Sequence, residues 1–423
     1  MVAYFYPPLA GGGVHRALSF TRHLPEHGWD CTVVCAGPRD YWVSDPSLEA
    51  RIPPGTEVIR VSGGSALAAW LGVRGGDRGR RSGADYAWLR RLSDWWLLPD
   101  SYVGWSARAT RAALTRARAG GIDAVLTSSP PDSVHLAGLR LARATGLPWV
   151  ADFRDPWMGL WFREPPTRWH RARQAAFERR VLEGSDLVLT ASATHAERVG
   201  ERSGAQPRAL QHLPNGFEPW SGDAAPNPDQ FVLVFSGTLS LMPDVELLLD
   251  ALHEMLAATP EARRRLRVRL VGPYDSGYED RSIALGLKGI VEFTGPRSHA
   301  ETRALQHAAD LLLLWKPRGA PTMVPGKLYE YLDSGRPILA LLPAEDEAAR
   351  LVERAGGARL EPGDRGALAR ALESRYRAWR TEGRIPDARP EWIEDWTRAR
   401  LAARLAERLD QTVAARRAGG DTT

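Results

Sequence analysis

The sequence predicts an α/β protein built from two doubly wound domains, each with a parallel sheet. Short apolar runs of strand length alternate with amphipathic helical patterns along most of the chain. The alternation is interrupted by a Pro/Gly-rich interval at residues 213–229 and then restarts. At 423 residues the chain is also too long for one ordinary hydrophobic core. We therefore expect two α/β halves joined by an extended linker.

Each half repeats the order strand, helix, strand, which produces parallel pairing through right-handed crossovers. In the first half we predict strands at residues 2–6, 31–36, 124–127, 149–151 and 187–190, with helices at 14–28, 132–146 and from 193. In the second half we predict strands at 231–236, 268–271, 291–293, 311–315 and 338–341, with helices at 243–258 and 327–333. The predicted domains are 1–215 and 230–390, separated by a linker at 216–229. An amphipathic helix at 391–415 and a disordered tail at 416–423 complete the chain.

Composition indicates an ordinary globular protein with a mild preference for anionic ligands. The formal net charge of +5 arises from charged residues spread over the whole chain, without a lysine-rich block, so no nucleic-acid partner is expected. Cys31 and Cys35 are too few for a disulfide or zinc framework and are expected as small buried hydrophobes in a reducing compartment. No apolar stretch approaches bilayer length and no secretory signal is recognisable. These features predict a cytoplasmic protein and leave peripheral contact with the inner face of the membrane open.

The alternating pattern weakens between residues 62 and 105. A Gly/Arg stretch at 74–83 predicts a mobile loop, and apolar side chains then crowd into a basic segment. The residues of this segment are Trp88, Leu89, Arg90, Arg91, Leu92, Trp95, Trp96 and Leu97. Such an aromatic stripe more often packs in a core or against another domain, and a membrane or acceptor surface is the alternative.

The first motif is the turn at residues 7–13, PPLAGGG, between the first strand and the first helix. Its glycines would let a ligand approach the backbone, and the helix N-terminus offers free N–H groups to a phosphate. Simple packing of the strand against the helix would explain the same glycines. The spacing differs from the dinucleotide fingerprint and no Walker lysine follows, which disfavours nicotinamide and P-loop sites.

The second motif follows the strand at 149–151, where Asp152, Arg154 and Asp155 fall at the carboxyl edge of the predicted sheet. Open α/β sheets bind ligands at that edge. Buried charges there destabilise the protein unless they are paired or used. A structural pair between Arg154 and a carboxylate fits the sequence as well as a functional site does.

The third motif is PGKLYEYLDSGRP at residues 325–337. A helix at 327–333 would place its N-terminus, with Gly326 and Lys327, at the ligand edge, where it can bind a diphosphate. Glu330 lies on the same helical face and can accept hydrogen bonds from the vicinal diol of a ribose. A solvated Lys/Glu face is the alternative, and the Pro-Gly entry into the helix disfavours it.

Taken together, the motifs resemble the family 4 glycosyltransferases, retaining enzymes with the GT-B fold, and especially their bacterial branch in surface-polysaccharide, glycolipid or natural-product assembly. The resemblance runs from residue 1 to about 343. Besides the three motifs it is carried by PD at 99–100, GW at 104–105, SSPP at 128–131, LPNGF at 213–217, SGT at 236–238 and VGP at 271–273. It implies two Rossmann-like domains that face each other across a cleft, and a C-terminal helix that crosses back to the N-terminal domain. It also implies a nucleotide-sugar donor and a glycan, lipid-linked or small-molecule acceptor, with no separate cofactor.

The resemblance further implies where the donor binds. The residues expected to cradle its diphosphate are Gly12, Gly13, Gly237, Thr238, Gly326, Lys327 and Leu328. Glu330 matches the second of two family glutamates and would bind the ribose. The loops expected to hold the base contain Gly272, Pro273, Gly295, Pro296 and Arg297.

The chain departs from the family pattern in two respects that concern the sugar and the diphosphate. The first family glutamate falls at Thr322, and the Arg and Lys that usually follow the Ser-Gly-Thr region are missing from residues 239–247. Lys327, absent from the commonest form of the motif, is expected to compensate. The first strand also begins directly at Met1, which leaves open a truncated start.

The expected reaction is a metal-independent glycosyl transfer. No Asp-x-Asp follows a predicted strand, so amides, a helix N-terminus and Lys327 would stabilise the leaving diphosphate. The resemblance implies retention by front-face attack, with Asp152 or Asp155 orienting the acceptor or stabilising the sugar and Arg154 fixing that carboxylate. A catalytically silent subunit that binds a nucleotide sugar or glycan is the alternative, suggested by Thr322 and the missing cations. A sugar-nucleotide epimerase is a second one.

Overall fold

A computed structural model describes residues 1–9, 11–41, 44–64, 93, 95–159, 164–224, 226–240, 242–317, 319, 322–386 and 388–420. These residues form two compact units. The first contains the described residues up to Asn215 and those from Trp396 onward, and the second contains Gly216–Asp395. The expected mobile loop at 74–83 and the stripe residues up to Leu92 lie outside the described residues.

The first unit is a parallel α/β sandwich. Its strands are β1 (Val2–Ala3), β2 (Thr32–Ala36), β3 (Glu57–Val61), β4 (Val125–Ser129), β5 (Trp149–Phe153), β6 (Leu187–Thr190) and β7 (Leu210–His212). Its helices up to Asn215 are α1 (Val14–His23), α2 (Pro46–Glu49), α3 (Val103–Arg118), α4 (Ser133–Thr145), α5 (Arg168–Gly184) and α6 (Ala193–Arg198). The strands form one sheet in the order β3-β2-β1-β4-β5-β6-β7. The order reverses between β1 and β4, and ligands of such sheets bind at that switch point.

The second unit repeats this architecture. Its strands are β8 (Phe231–Ser236), β9 (Leu266–Val271), β10 (Val291–Gly295), β11 (Leu311–Leu314), β12 (Ile338–Leu341) and β13 (Ala358–Leu360). Its helices are α7 (Pro243–Ala258), α8 (Ser276–Ala284), α9 (His299–Ala308), α10 (Gly326–Ser334), α11 (Glu347–Arg354) and α12 (Arg365–Glu382). The sheet order is β10-β9-β8-β11-β12-β13, all parallel, with the switch point between β8 and β11. The prediction of two doubly wound parallel sheets is confirmed.

The C-terminal helix α13 (Arg398–Gly420) belongs to the first unit. Its apolar face, with Leu401, Leu405 and Leu409, packs in one cluster with Phe20 and Leu126. The expected return of this helix to the N-terminal domain is therefore confirmed. The helix continues to Gly420, so the described part of the tail predicted as disordered from residue 416 is helical.

Contacts to the first unit explain why the helix extends past the predicted end. Arg416 pairs with Asp186 at 3.2 Å, and Arg417 pairs with Asp123 at 3.1 Å. The first strand, predicted at residues 2–6, is shorter than expected, since its ladder covers only Val2–Ala3. Cys35 is buried and Cys31 is partly exposed, and both are free thiols. Within the described residues, no helix combines the length and apolarity that crossing a bilayer requires.

Candidate active site

In the first unit, Arg154 lies over the glycine turn that precedes α1. A Cβ atom added to Gly13 would stand 2.7 Å from Nη1 of Arg154 and 3.1 Å from Cγ of Phe5. Gly13 therefore leaves the room that the guanidinium occupies. Arg154 Nη2 also pairs with Asp155 Oδ2 at 3.0 Å, and both side chains are partly exposed. The structure thus brings the first two sequence motifs together at the switch point of this sheet.

Asp152, two residues before Arg154 and at the end of β5, lies in different surroundings from Asp155. Its carboxylate has no exposed surface and accepts hydrogen bonds from Arg16 Nη2 at 2.7 Å and Arg16 Nε at 2.8 Å. Ser128 Oγ donates a further hydrogen bond at 2.7 Å. Arg16 Nη1 in turn donates to the Pro214 carbonyl at 2.9 Å, which ties α1 to the segment before the linker. The charge of Asp152 is therefore neutralised internally.

Sequence reasoning missed Arg16 as the partner of Asp152. The signal was available, because Arg16 lies one helical turn before Phe20 and shares its buried face of α1. A cation on an apolar helix face needs a buried anion. Which anion it meets depends on tertiary structure, and the structure separates the two aspartates that the sequence left equivalent: Asp152 is sealed and Asp155 is accessible.

In the second unit, the side chain of Lys327 reaches from the first turn of α10 to the turn after β8. Its Nζ lies 3.8 Å from the ring centroid of Phe235, and that ring stacks on Trp315 at 3.8 Å. A Cβ atom added to Gly237, whose φ is +137°, would stand 2.5 Å from Lys327 Nζ. Desolvation by these surroundings lowers the pKa of Lys327 to about 7, although the charge of Glu330 raises it in part. A bound anion would stabilise the charged form of this ammonium.

Glu330, one turn further along α10, is held as an ionised carboxylate. His299 Nε2 lies 2.8 Å from its Oε1, and Gln306 Nε2 donates to its Oε2 at 3.1 Å. Burial alone raises the pKa of this carboxyl group, but the hydrogen bonds from His299 and Gln306 and the positive charges of His299 and Arg303 outweigh burial and lower the pKa to about 2. The sequence motif identified Glu330 but not its two partners on α9.

The turns after β8, β9 and β10 are joined by backbone hydrogen bonds. Gly237 N donates to Val271 O at 2.8 Å, and Gly272 N donates to Gly295 O at 3.0 Å. Gly272 has φ +135°, and a Cβ atom there would collide with the Gly237 carbonyl, so the close approach requires glycine. The predicted base-loop residues consequently lie along one edge of the sheet, where Pro273, Pro296 and Arg297 are exposed.

The remaining predicted donor residues of the second unit lie in the turn after β8 and in the first turn of α10. Thr238 is exposed, Leu328 is buried, and Gly326 has open space where a Cβ atom would stand. The segment before α10, which contains Thr322, is anchored by Lys316, whose Nζ donates to the Met323 carbonyl and pairs with Asp346 at 2.7 Å. In the part of the chain that the structure describes, His, Cys, Asp and Glu side chains form no group of three with metal-binding geometry.

Two comparisons of the sequence identify related proteins. Residues 11–216 match the family model of the glycosyl transferase 4-like domain. D-inositol 3-phosphate glycosyltransferases of Geodermatophilus obscurus and a Nocardioides species are 32% and 31% identical over 162 and 158 residues. The alignments cover 34% and 32% of this chain and 36% and 34% of those proteins, so the chain spans about a third of the length of the curated relatives it matches.

Solved structures resemble the chain over nearly its whole length. HepE of Anabaena, in complex with UDP-glucose, has a TM-score of 0.63 at 15% identity, covering 97% of this chain and 99% of that chain. Sucrose-phosphate synthase of Thermosynechococcus elongatus has a TM-score of 0.65 at 15% identity, covering 98% of both chains. At these identities the likeness shows the fold, which is GT-B. Residues 11–216 are thus similar to the glycosyl transferase 4-like domain.

Proposed function

We propose that the protein transfers a sugar from a nucleoside-diphosphate sugar to a hydroxyl group of a glycan, lipid-linked or small-molecule acceptor. The observation that carries the proposal is the placement of Lys327 beside the Gly237 turn, with its ammonium against an aromatic ring and its pKa lowered to about 7. A desolvated cation at the start of a helix is suited to a diphosphate. Because the structure of HepE contains UDP-glucose, this nucleotide sugar is the first donor to test.

The second unit supplies the donor contacts in this proposal. The diphosphate binds beside the Gly237 turn, at the backbone amides of Thr238 and of the first two residues of α10, together with the Lys327 ammonium. The ribose diol donates to Glu330, whose carboxylate is already ionised and oriented by His299. The base lies along the exposed edge formed by the turns after β9 and β10.

The chemistry proposed is a front-face substitution with retention. The acceptor oxygen forms a bond to the anomeric carbon as the carbon–oxygen bond to the diphosphate breaks, through an oxocarbenium-like transition state. The acceptor proton passes to the departing phosphate oxygen, so no separate base is needed. Lys327 and the amides stabilise the charge that develops on the diphosphate, and we propose that this replaces a metal ion.

In the first unit we assign Asp155 the role of orienting the acceptor or stabilising the sugar. Its carboxylate is partly exposed and is fixed by Arg154, which itself lies over the glycine turn. Asp152 is sealed by Arg16 and Ser128, so we assign it a positioning role at the end of β5.

We also propose that the protein is cytoplasmic, in peripheral contact with the inner face of the membrane.

Nucleotide binding and turnover test this function separately. A thermal-shift panel of nucleoside diphosphates should give the largest stabilisation with the base that the donor carries, since binding to the folded state raises the midpoint of unfolding. Purified protein should then cleave the matching nucleotide sugar with a chelator present, and faster when an acceptor is added. Binding without any turnover would indicate a silent subunit, and conversion of the donor's sugar to its epimer would indicate an epimerase.

A further inference from the structure

Three tryptophan side chains of the first unit project into solvent. Trp95, Trp96 and Trp169 are 52%, 84% and 60% exposed, although tryptophan is ordinarily among the better buried residues. Trp95 and Trp96 precede the Pro99-Asp100 segment, and Trp169 lies in the first turn of α5. We call this group the tryptophan surface. For these two stripe residues, Trp95 and Trp96, the commoner expectation of core packing is wrong.

A buried histidine joins two members of the tryptophan surface. The His170 ring meets Trp95 and Trp169 edge to face, with centroid distances of 5.4 Å and 4.9 Å. Nε2 of His170 lies 3.2 Å from the Trp95 carbonyl oxygen, and its Nδ1 lies 2.7 Å from Thr167 Oγ1. The indoles of Trp95 and Trp169 are therefore packed on the protein even though about half or more of each side chain is exposed.

Three arginines lie within four residues of Trp169, in the first turns of α5. Arg168, Arg171 and Arg173 are all exposed and fall within the first six residues of the helix. Glu164 is a nearby acid, 3.3 Å from Arg171 and 3.8 Å from Arg202. Glu164 thus faces one of these three arginines, which outnumber it among the described residues near the indoles.

We propose that the tryptophan surface docks the protein on an anionic lipid bilayer. Indoles with a polar N–H group favour the boundary between headgroups and acyl chains, and flanking arginines bind lipid phosphates. Most of the Trp96 side chain is exposed, as expected of a side chain that inserts into a bilayer. A tryptophan that stacks on a sugar or a base would instead line a groove. This docking rests on the membrane contact in the proposed function, but it can be measured without a donor and without turnover.

Flotation of the full-length protein with lipid vesicles, in the absence of nucleotide, tests the docking. We expect the protein to float with vesicles containing phosphatidylglycerol, to stay unbound with phosphatidylcholine alone, and to be released as salt is raised. The double variant Trp96→Ser/Trp169→Ser should lose binding by about tenfold or more, as should Arg168→Gln/Arg173→Gln. Trp95 is left intact so that His170 keeps one of its two indole contacts.

A matched control is Ile283→Ser, which removes a side chain that is 51% exposed in the second unit and should float like the wild type. Melting curves of all variants verify folding. Equal flotation with neutral and anionic vesicles, or wild-type binding by the tryptophan double variant, would overturn the proposal. UDP binding and donor cleavage are measured in parallel without lipid, so the loss of docking is distinguished from failure of the proposed function.

Discussion

Lys327 makes donor binding depend on pH. In the free protein, desolvation lowers the pKa of its ammonium to about 7, and the charge of Glu330 only partly opposes this shift. A bound diphosphate favours the charged form and raises the pKa, so binding above pH 7 must take up a proton. The affinity for UDP-glucose should therefore fall as the pH rises above 7, by at most about tenfold per pH unit. Calorimetric titration across this range measures the effect.

The control for this prediction is Lys327→Arg. A guanidinium stays charged throughout the range, so the variant should bind with an affinity that changes little between neutral and alkaline pH. UDP-glucose is preferred to UDP because its diphosphate has no proton that titrates near neutrality. A wild-type affinity that is flat or rises with pH would exclude the Lys327 ammonium as the group that binds the diphosphate.

Gly12 and Gly13 offer a matched pair of substitutions in the glycine turn. Gly13→Ala places a methyl group 2.7 Å from the Arg154 guanidinium, whereas Gly12→Ala meets no heavy atom within 4 Å. Since the guanidinium can move aside, Gly13→Ala should fold normally but lower kcat by roughly tenfold through displacement of the Arg154–Asp155 pair. Gly12→Ala should retain most of its activity. Similar rates for the two variants would show that the position of Arg154 does not limit turnover.

Asp152 and Asp155 should respond differently to the same substitution. Asp152→Asn breaks a fully buried ion pair with Arg16, so we expect unfolding to become easier by about 3 kcal/mol. Asp155→Asn alters a partly exposed pair and should change stability by less than about 1 kcal/mol, while lowering kcat by at least about a hundredfold. Urea unfolding and donor turnover measure the two quantities. A stable Asp152→Asn variant that has lost all turnover would reverse the assignment.

At the scale of elements, α10 was largely predictable because its signals are local. The Pro-Gly entry and the Gly335 stop bracket a helix expected at 327–333 and found at Gly326–Ser334. The partners of Glu330 were not predictable, because His299 and Gln306 lie on α9 and meet α10 only through the tertiary fold. The edge strands β3, β7 and β13 were missed for a related reason. Their residues are mostly half-buried or exposed, so their apolar pattern is weak.

The contact between α9 and α10 should determine selectivity for the ribose. His299→Ala removes one of the two groups that orient Glu330, so a 2′-hydroxyl should contribute less to binding. We expect wild-type protein to bind UDP more tightly than 2′-deoxy-UDP and the variant to reduce that ratio by about fivefold. His253→Ala, on an exposed histidine that contacts Leu285 in the same unit, is the control. An unchanged ratio in His299→Ala would remove this role from the histidine.

At the scale of the whole molecule, the two-unit fold followed from strand–helix alternation and one Pro/Gly-rich interruption. Apolar runs mark the segments that are buried. Both units bury enough consecutive strand residues for these runs to be visible in the sequence. The course of α13 beyond residue 415 did not follow, because charged contacts to the first unit extend a segment that is polar by itself. Local patterns likewise could not distinguish Asp152, which is fully buried, from Asp155, which is partly exposed. Both residues follow the strand predicted at 149–151.

The central claim is that the second unit binds a diphosphate through Lys327, and calorimetric titration of UDP and uridine tests it most directly. Lys327→Gln should weaken UDP by about tenfold to a hundredfold, the usual worth of a charge-assisted contact, and leave uridine nearly unchanged. Lys288→Gln, on an exposed lysine of the same unit, should bind both ligands like the wild type. Equal losses for UDP and uridine, or undiminished UDP binding by Lys327→Gln, would contradict the account.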